Sequence, residues 1–449
     1  MYRLLVKNLK QVVQIVDDNT TEFLRGEQQM NNIKILNSSS STLAILVDSD
    51  GKFSFIGEFK DLQKHLEAES VDLGSIETMD SNGGIAIPGF VDGHSHPVFA
   101  GDRVHEFAMK LAGATYMEVQ QAGGGIMFTT NKTREASEEE LRRDFEEVAK
   151  KMLQSGTTTL EAKSGYGLNV DAELKMLRVL STVTPSIPLE ISATFCGAHA
   201  VPKGSTESEQ TRMICEELIP KIEEEQRNGH LKNVENIDVF CEKGVFEVES
   251  RYKDYKDYKL QKNFFCSKKI LERGQKAGMA VNFHAEELKY IGGVEMGAKI
   301  GARAMSHLEE ISEEGIRGMS QSGSVAVLLP STAFILRLTP PPARKLIENG
   351  VIVALGSDFN PNAYCLAMPM IMHFACVTMK LSMPEALTAA TLNSAHSIGR
   401  GKTHGAIAKG RNADFLILSA NSWEHIIYRI AAHQDVIQHV VKNGNIVKF

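Results

Sequence analysis

Two histidines separated by a single residue, and two polar residues further along the chain, carry the strongest chemical signal in the sequence. His94 and His96 follow the apolar start of Phe90–Asp92, and an extended strand points both imidazoles to the same side. His284 and Asp358 follow two later apolar runs. Three neutral nitrogens and one carboxylate suit zinc or ferrous iron, whereas calcium and magnesium require more oxygen ligands. These four residues are candidate ligands of one metal ion, which would make water a nucleophile at about pH 7.

The elements that must position these residues have the pattern of repeated β/α units between about residues 85 and 400. Short apolar runs alternate there with segments of helical periodicity. The predicted strands are Phe90–Asp92, Thr157–Glu161, Leu189–Phe195, Ile237–Phe240, Ala280–Phe283, Ala302–Met305, Ser324–Leu329 and Val351–Leu355. The predicted helices include Glu138–Gln154, Asp171–Val183, Lys268–Ala277 and Pro341–Asn349. Eight units predict an α/β fold, a (β/α)8 barrel of the TIM type.

Polar side chains follow most of the predicted strands. In chain order they are His94, His96, Lys163, His199, Glu242, His284, His307, Ser331, Thr332 and Asp358. The C-terminal ends of barrel strands converge on one axis, and a barrel with only a structural role could leave these ends apolar. The array therefore favours an active site on that face.

The two ends of the chain differ from the barrel region and resemble each other. Ala44–Val47 and Lys52–Ile56 flank Asp48-Ser49-Asp50-Gly51, which predicts a β-hairpin. Near the other end, Phe415–Leu418 predicts a strand and Val440–Val447 a second hairpin. We expect residues 1–86 and 403–449 to form one small β-sandwich domain, with the barrel, residues 87–402, inserted between them.

Composition excludes several classes of protein. The net charge is −7 over 449 residues, with no clustered basic face of the kind that nucleic-acid binding requires. No run of roughly 18 apolar residues predicts a membrane span, and the N-terminus lacks the apolar segment of a secretory signal. The six cysteines include no C-x-x-C pair. We therefore expect reduced thiols and a cytoplasmic protein without nucleic-acid or membrane partners.

These motifs resemble the amidohydrolase superfamily. The resemblance is carried by Pro-Gly-Phe-Val-Asp-Gly-His-Ser-His at 88–96, the histidines that end strands five and six, Gly-Ser-Asp at 356–358, and Ala-Asp at 413–414. Within the superfamily the match narrows to the imidazolonepropionases. It rests there on the motifs at 103–107, 121–126, 163–168, 197–200 and 357–361, and it covers the chain from about residue 85 to the end.

The resemblance implies hydrolysis of a small anionic cyclic amide, 4-imidazolone-5-propanoate, to N-formimidoyl-L-glutamate in histidine degradation. It also implies one zinc or iron ion per chain and a homodimer. His94, His96, His284 and Asp358 match the metal ligands of the family. The residues that match the substrate-binding positions are Arg103, Tyr116, Tyr166, His199 and Glu287, and Asn360 matches a product-binding position. His307 matches the histidine close to the activated water.

Catalytic roles can be assigned to three of these residues. Asp358 could carry a proton from water to the leaving nitrogen, and either His307 or Glu287 could act as the principal base. The metal with His307, or His199, could stabilise the oxyanion. Arg103 could bind the substrate carboxylate through two parallel hydrogen bonds.

Lys163 and two departures from the family pattern bear on these assignments. Hydantoinases and dihydroorotases use a carbamylated lysine between two metals, usually on the fourth strand, whereas Lys163 follows the second. One metal is therefore favoured, with Lys163 as a charged neighbour in the site or as a partner of Glu161 or Glu242. Asn362-Ala363 stands where many relatives have Gly-Ser, and 251–265 has the pattern of an exposed insertion.

Two rival functions are compatible with the sequence. The first is another cyclic amidohydrolase, of the hydantoinase or dihydroorotase type, or an aminohydrolase acting on a purine-like ring. The second is a relative that has lost catalysis and serves as a scaffold. Retention of all four candidate ligands argues against the scaffold, and the ring that is opened distinguishes the enzymes.

Overall fold

Short strands come first along the chain in the computed structural model, which describes residues 1–39, 41–114, 118, 122–182, 187–248 and 266–449. The strands before the barrel are β1 (Tyr2–Leu9), β2 (Gln11–Ile15), β3 (Lys34–Asn37), β4 (Leu43–Asp48), β5 (Phe53–Glu58), β6 (Glu77–Asp80) and β7 (Ile85–Pro88). Helices α1 (Gly26–Asn31) and α2 (Phe59–Ala68) lie among them, with a 3-10 turn at Leu73–Ser75. The first predicted hairpin is confirmed, because β4 and β5 pair antiparallel.

Eight parallel strands then form the barrel, each bonded to the next in chain order. They are β8 (Phe90–Ser95), β9 (Thr157–Lys163), β10 (Glu190–Ala198), β11 (Val234–Cys241), β12 (Ala280–Ala285), β13 (Ala304–His307), β14 (Val325–Leu328) and β15 (Ile352–Leu355). The first and last strands meet beyond their ends, where the Asp358 amide donates to the His94 carbonyl at 2.8 Å and the His96 amide to the Phe359 carbonyl at 2.8 Å. The predicted (β/α)8 architecture is confirmed.

Most of the predicted strands stop one to three residues too early. The observed β8 reaches Ser95 rather than Asp92, and β10 reaches Ala198 rather than Phe195. The apolar pattern ends there, but the backbone ladder continues through the polar residues, as the pairing of Ala285 with His307 shows. The side chains at the site therefore lie largely on regular strands. Hydrogen bonds hold the backbones of these strands in place.

Helices alternate with the barrel strands along the chain and follow the last of them. They are α3 (Val104–Leu111), α4 (Ile126–Glu135), α5 (Glu138–Gln154), α6 (Val170–Thr182), α7 (Glu207–Met213), α8 (Ile219–Arg227), α9 (Cys266–Lys276), α10 (Gly293–Lys299), α11 (Glu313–Ser322), α12 (Pro330–Leu336), α13 (Ala343–Glu348), α14 (Met368–Met379), α15 (Met383–Ala389) and α16 (Leu392–Ser397). A π turn, Ile214–Leu218, joins α7 to α8. The prediction of α5 is confirmed at both ends. It begins at a capping box formed by Ser137 and Glu140, and it buries Leu141 and Phe145.

The two ends of the chain pair with each other. The last elements are β16 (Phe415–Leu418), α17 (His425–Tyr428), a 3-10 turn at His433–Asp435, β17 (Ile437–Lys442) and β18 (Asn445–Ile446). A six-stranded sheet has the order β18-β17-β16-β7-β2-β3, and a four-stranded sheet the order β5-β4-β1-β6. Leu4, Phe53, Phe415 and Ile417 belong to one buried cluster between the sheets. The predicted small β-sandwich from both ends is confirmed, while its boundaries at residues 86 and 403 stay a prediction.

None of the described helices is long and apolar enough to cross a membrane.

Candidate metal centre and active site

The four predicted metal ligands converge at the C-terminal end of the barrel. The Nε2 atom of His96 lies 3.3 Å from that of His94 and 3.2 Å from that of His284. The Oδ1 atom of Asp358 lies 3.4 Å from His94 Nε2 and 3.7 Å from His96 Nε2. All four side chains are buried. Side chains as far apart in the sequence as His94 and Asp358 are therefore brought together at this end of the barrel.

These distances suit a shared metal ion. In tetrahedral coordination with bonds of about 2.0–2.1 Å, neighbouring donor atoms lie about 3.3 Å apart. Burial, together with neighbouring cationic groups such as Lys163, lowers the pKa of His94 well below its ordinary value, and burial likewise lowers the pKa of His96. Both imidazoles are therefore neutral, as ligands must be. The donor set fits a divalent ion of the zinc or ferrous type.

Hydrogen bonds on the far side of two of these rings orient the ligands. His94 Nδ1 lies 2.8 Å from the Ser306 hydroxyl, and His284 Nδ1 lies 2.9 Å from Asp238 Oδ1. Asp238 can only accept, so His284 carries its proton on Nδ1 and offers the lone pair of Nε2. Thr332 donates to Asp358 at 2.5 Å, which leaves the other carboxylate oxygen for the ion.

Lys163 lies beneath the ligands as a structural cation. Its Nζ is 2.7 Å from Asp238 and 3.0 Å from Glu161, and all three side chains are buried. Burial favours the neutral amine, but the carboxylates of Asp238 and Glu161 outweigh this and raise the pKa of Lys163. The predicted pairing with Glu161 is confirmed. The alternative with Glu242 is wrong, because Glu242 accepts instead from the amides of Lys243 and Leu288.

Replacing Asp238 with asparagine is expected to weaken metal binding about 10- to 100-fold, because outer partners of ligating histidines contribute on that scale. The variant loses the charge that holds both Lys163 and the Nδ1 proton of His284. The measurement is metal content after dialysis against graded chelator. Glu235→Gln, on the same strand but paired with Arg400, is the matched control. Equal metal retention in the two variants would show that Asp238 does not act on the ligand.

A cavity of about 150 Å³ opens above the ligands. Its lining brings together nearly all of the sequence-predicted site residues, namely His96, Arg103, Tyr166, His199, His284, Glu287, His307, Asp358 and Asn360. Ile126, Phe240 and Leu336 supply apolar surface. Tyr116, predicted as a substrate contact, lies outside the described residues, as does the predicted insertion at 251–265.

The loop that carries Tyr166 is held by a buried carboxylate. Glu173 accepts hydrogen bonds from the amides of Gly165, Gly167 and Leu168 at 3.2, 2.7 and 2.8 Å. Gly165 has a φ of +116°, a conformation that a side chain would strain, and a Cβ there would lie 2.8 Å from His199. Burial raises the pKa of Tyr166, so its hydroxyl keeps its proton as a donor.

The His199 ring lies against His96, with ring centres 4.8 Å apart and planes 14° apart. Its Nδ1 lies 3.0 Å from the Gly165 carbonyl, which can only accept, so Nδ1 carries the proton and Nε2 the lone pair. Burial, with His284 close by, lowers the pKa of His199 to about 3. The ring is neutral and can accept a hydrogen bond through Nε2.

Arg103 is anchored at the cavity wall by an ion pair that the sequence analysis missed. Its Nε and Nη2 donate to Glu106 at 2.7 and 2.5 Å, while Lys110 Nζ lies 2.6 Å from the same carboxylate. Burial alone would raise the pKa of Glu106. The hydrogen bonds from Arg103 and Lys110 outweigh this effect and lower that pKa to about 2. One carboxylate thus faces two cations, and the group retains a net positive charge. The Arg-x-x-Glu spacing at a helix start was the available signal.

Glu287 and His307 face each other across the cavity. Glu287 Oε2 lies 3.6 Å from His307 Nε2. Burial and the neighbouring carboxylates of Asp358 and Glu242 raise the pKa of Glu287 to about 8. Burial lowers the pKa of His307 well below its ordinary value. A protonated carboxyl beside a neutral imidazole is thus the favoured pair at neutral pH.

Comparison with known proteins places this site in a family. The model described as "Amidohydrolase family" matches residues 85–447. A probable imidazolonepropionase of Nematostella vectensis is 50% identical and covers 100% of this chain and 99% of its own. The chain belongs to the imidazolonepropionases of the amidohydrolase family. A probable imidazolonepropionase of Mus musculus is 47% identical over 99% of this chain and 98% of its own.

A solved structure of more distant sequence has the same fold. An adenosine deaminase from Xanthomonas campestris, solved with bound zinc, covers 99% of this chain and 92% of its own with a TM-score of 0.63 and 16% identity. Its similarity to this chain is one of fold.

Among the described residues, His94, His96 and Asp358 form one of the clusters able to hold a metal ion, and His96, His199 and His284 form another.

Proposed function

We propose that the protein hydrolyses 4-imidazolone-5-propanoate to N-formimidoyl-L-glutamate. The observation that carries the proposal is the convergence of His94, His96, His284 and Asp358, whose donor atoms suit a metal ion, beneath a small cavity whose wall holds an anchored arginine. Whole-chain relatives named probable imidazolonepropionase support this reading over the rival rings and over a scaffold.

One divalent ion, zinc or iron, fits the donor atoms of His94, His96, His284 and Asp358. When bound, such an ion acidifies a water molecule and polarises the ring carbonyl. A second ion bridged by a modified lysine does not fit, because the Lys163 ammonium is already bound between Glu161 and Asp238.

The reaction forms a bond from water oxygen to the ring carbonyl carbon and breaks the bond from that carbon to the ring nitrogen. Asp358 lies at the ligand set, and one of its oxygens would carry to the leaving nitrogen the proton that the principal base, His307 or Glu287, takes from water. His307 faces the same point with its Nε2 atom, 3.6 Å from Glu287. His199 accepts from a ring N–H through its free Nε2 rather than stabilising an oxyanion. Asn360, which bonds the Asp358 carbonyl at 2.7 Å, stands where the product forms.

The experiment that tests the proposal uses the purified, metal-loaded protein. Enzymatically generated 4-imidazolone-5-propanoate is supplied, its ultraviolet absorbance is followed, and the product is identified by mass spectrometry. Formation of N-formimidoyl-glutamate without ammonia is expected. Release of ammonia, or turnover of hydantoins or purines alone, would assign the site to a rival enzyme of the family.

Replacing Arg103 with leucine is expected to raise KM about 10- to 100-fold and to leave kcat nearly unchanged. The propanoate does not take part in the bond changes, so its contact stabilises ground state and transition state alike. A charge-assisted hydrogen bond contributes about 1.5–3 kcal/mol, which sets that range. Arg143→Leu, at an exposed arginine that forms an ion pair with its neighbour Asp144, is the control. An unchanged KM would remove Arg103 from the substrate site.

We further propose a cytoplasmic homodimer with the domain division predicted above. No disulfide bond joins any of the six cysteines, all of which lie among the described residues, and this suits a reducing compartment. Phe334 and Phe374 stack with ring centres 5.0 Å apart, and Phe334, Val377 and Tyr428 are exposed. An apolar surface of this kind suits association with a second copy. The mass in solution by light scattering tests this, and a monomer would contradict it.

A further inference from the structure

Two buried polar groups beside the site face each other, and among the described residues neither makes a hydrogen bond of ordinary geometry. Both carboxyl oxygens of Glu309 and the Nδ1 atom of His307 lack one within the described part of the chain. Each side chain is 2% exposed, and Glu309 Oε2 lies 3.9 Å from His307 Nδ1. Buried polar groups are rarely left unpaired, so two that are adjacent and complementary call for an explanation.

The backbone brings Glu309 behind the His307 ring. His307 and Leu308 both have positive φ values, +77° and +74°, so the chain turns sharply at the end of β13. The Leu308 amide then donates to the Ala285 carbonyl at 3.2 Å, and the Glu310 amide to the Glu286 carbonyl at 2.9 Å. Two consecutive left-handed residues without glycine are costly, and such strain persists where the surrounding structure imposes it.

The surroundings of Glu309 are poor in donors. Glu287 and Asp358 contribute negative charge, and burial together with these carboxylates raises the pKa of Glu309 well above its ordinary value. A neutral carboxyl group keeps a carbonyl oxygen that accepts hydrogen bonds. The imidazole N–H of His307 is a complementary group close to this carboxyl, and a side-chain shift of about 1 Å brings 3.9 Å within hydrogen-bond range.

We propose that Glu309 is a positioning residue that accepts a hydrogen bond from Nδ1–H of His307 and so leaves Nε2 as the nitrogen with the lone pair. That Nε2 faces Glu287 at 3.6 Å and is the atom that meets substrate or water. Glu309 itself does not line the cavity. The inference rests on the proposed function for its kinetic consequence, but the tautomer is a property of the protein alone.

The tautomer is measured by nitrogen-15 NMR on zinc-loaded protein labelled at histidine. His307→Gln assigns the two ring signals by their loss. The Nδ1–H form is expected in the unmodified protein, and a mixed or Nε2–H form in Glu309→Leu. An Nε2–H ring in the unmodified protein would overturn the proposal without any variant having to fold.

Kinetics supply the second readout. Glu309→Leu is expected to lower kcat about 10- to 100-fold, the scale of orienting partners, with KM within about twofold. Glu309→Gln should lower kcat less, because its amide oxygen still accepts a hydrogen bond from His307. Glu310→Leu and Glu310→Gln, at the exposed neighbour, are the controls and should match the unmodified enzyme.

A Glu309→Leu protein with the unmodified thermal midpoint and kcat would overturn the proposal. Absence of turnover in the unmodified protein would instead refute the function and leave the tautomer result standing.

Discussion

Replacing His284 with alanine is expected to lower kcat/KM for 4-imidazolone-5-propanoate by about four orders of magnitude. Its Nε2 lies 3.2 Å from that of His96, so the change removes one of the donor atoms at the shared point. Activation of water and polarisation of the carbonyl by a metal contribute several kcal/mol, and four orders of magnitude correspond to about 5 kcal/mol. The measurement is steady-state turnover together with metal content per chain.

The matched control is His230→Ala, because His230 is exposed and its partner among the described residues is Glu225. The control should keep both metal and rate. Removing metal from the unmodified protein with a chelator should abolish turnover, and added zinc or ferrous iron should restore it there but not in His284→Ala. A His284→Ala protein that keeps one metal per chain and the full rate would exclude His284 as a ligand.

The positions of the ligands were predictable because each lies at the end of an apolar run. The period of two in His94-Ser95-His96 places both rings on one side, and strand order brings His284 and Asp358 to the same barrel face. Strand ends were predicted less well. The apolar pattern often stops before the hydrogen-bonded ladder does, because the last residues of several strands, such as His94 in β8 and His307 in β13, serve the site instead of the core.

The partners of the ligands were harder to predict, because they depend on neighbouring strands. Asp238 lies in the middle of the apolar run Ile237–Phe240, and a buried charge in a strand is a visible signal. Its partner His284 is on the next strand, in a register that pairs Phe240 with His284. The sequence contains the charge but does not reveal this register. Asp238 was therefore not identified as a residue near the site, whereas Lys163 was.

Glu309 and Glu310 also show that a sequence pattern does not reveal which side chain is buried beside the site. The two residues are identical and adjacent, and no periodicity distinguishes them. The positive φ values at His307 and Leu308 bury the first side chain and expose the second. That turn is made by a histidine and a leucine, which rarely adopt such a conformation, so sequence patterns do not anticipate it.

Replacing Glu287 with leucine is expected to lower kcat about a thousandfold, whereas Glu287→Gln is expected to stay within about tenfold of the unmodified enzyme. Burial and the carboxylates of Asp358 and Glu242 favour the protonated form of Glu287, which can donate to the substrate ring. Glutamine keeps a donor at this position and leucine does not. Proton donors and acceptors at reacting groups contribute about 10²- to 10⁴-fold, which sets the scale.

The comparison of the two variants decides between His307 and Glu287 as the principal base. If Glu287 served as the base, Glu287→Gln would lower kcat as much as Glu287→Leu, because an amide does not accept a proton at neutral pH. A small loss in Glu287→Gln with a large loss in His307→Gln would assign the base to His307. Glu286→Gln is the control for charge, because Glu286 accepts instead from the amides of Ile291 and Gly293. Metal content measured in every variant separates loss of proton transfer from loss of the ion.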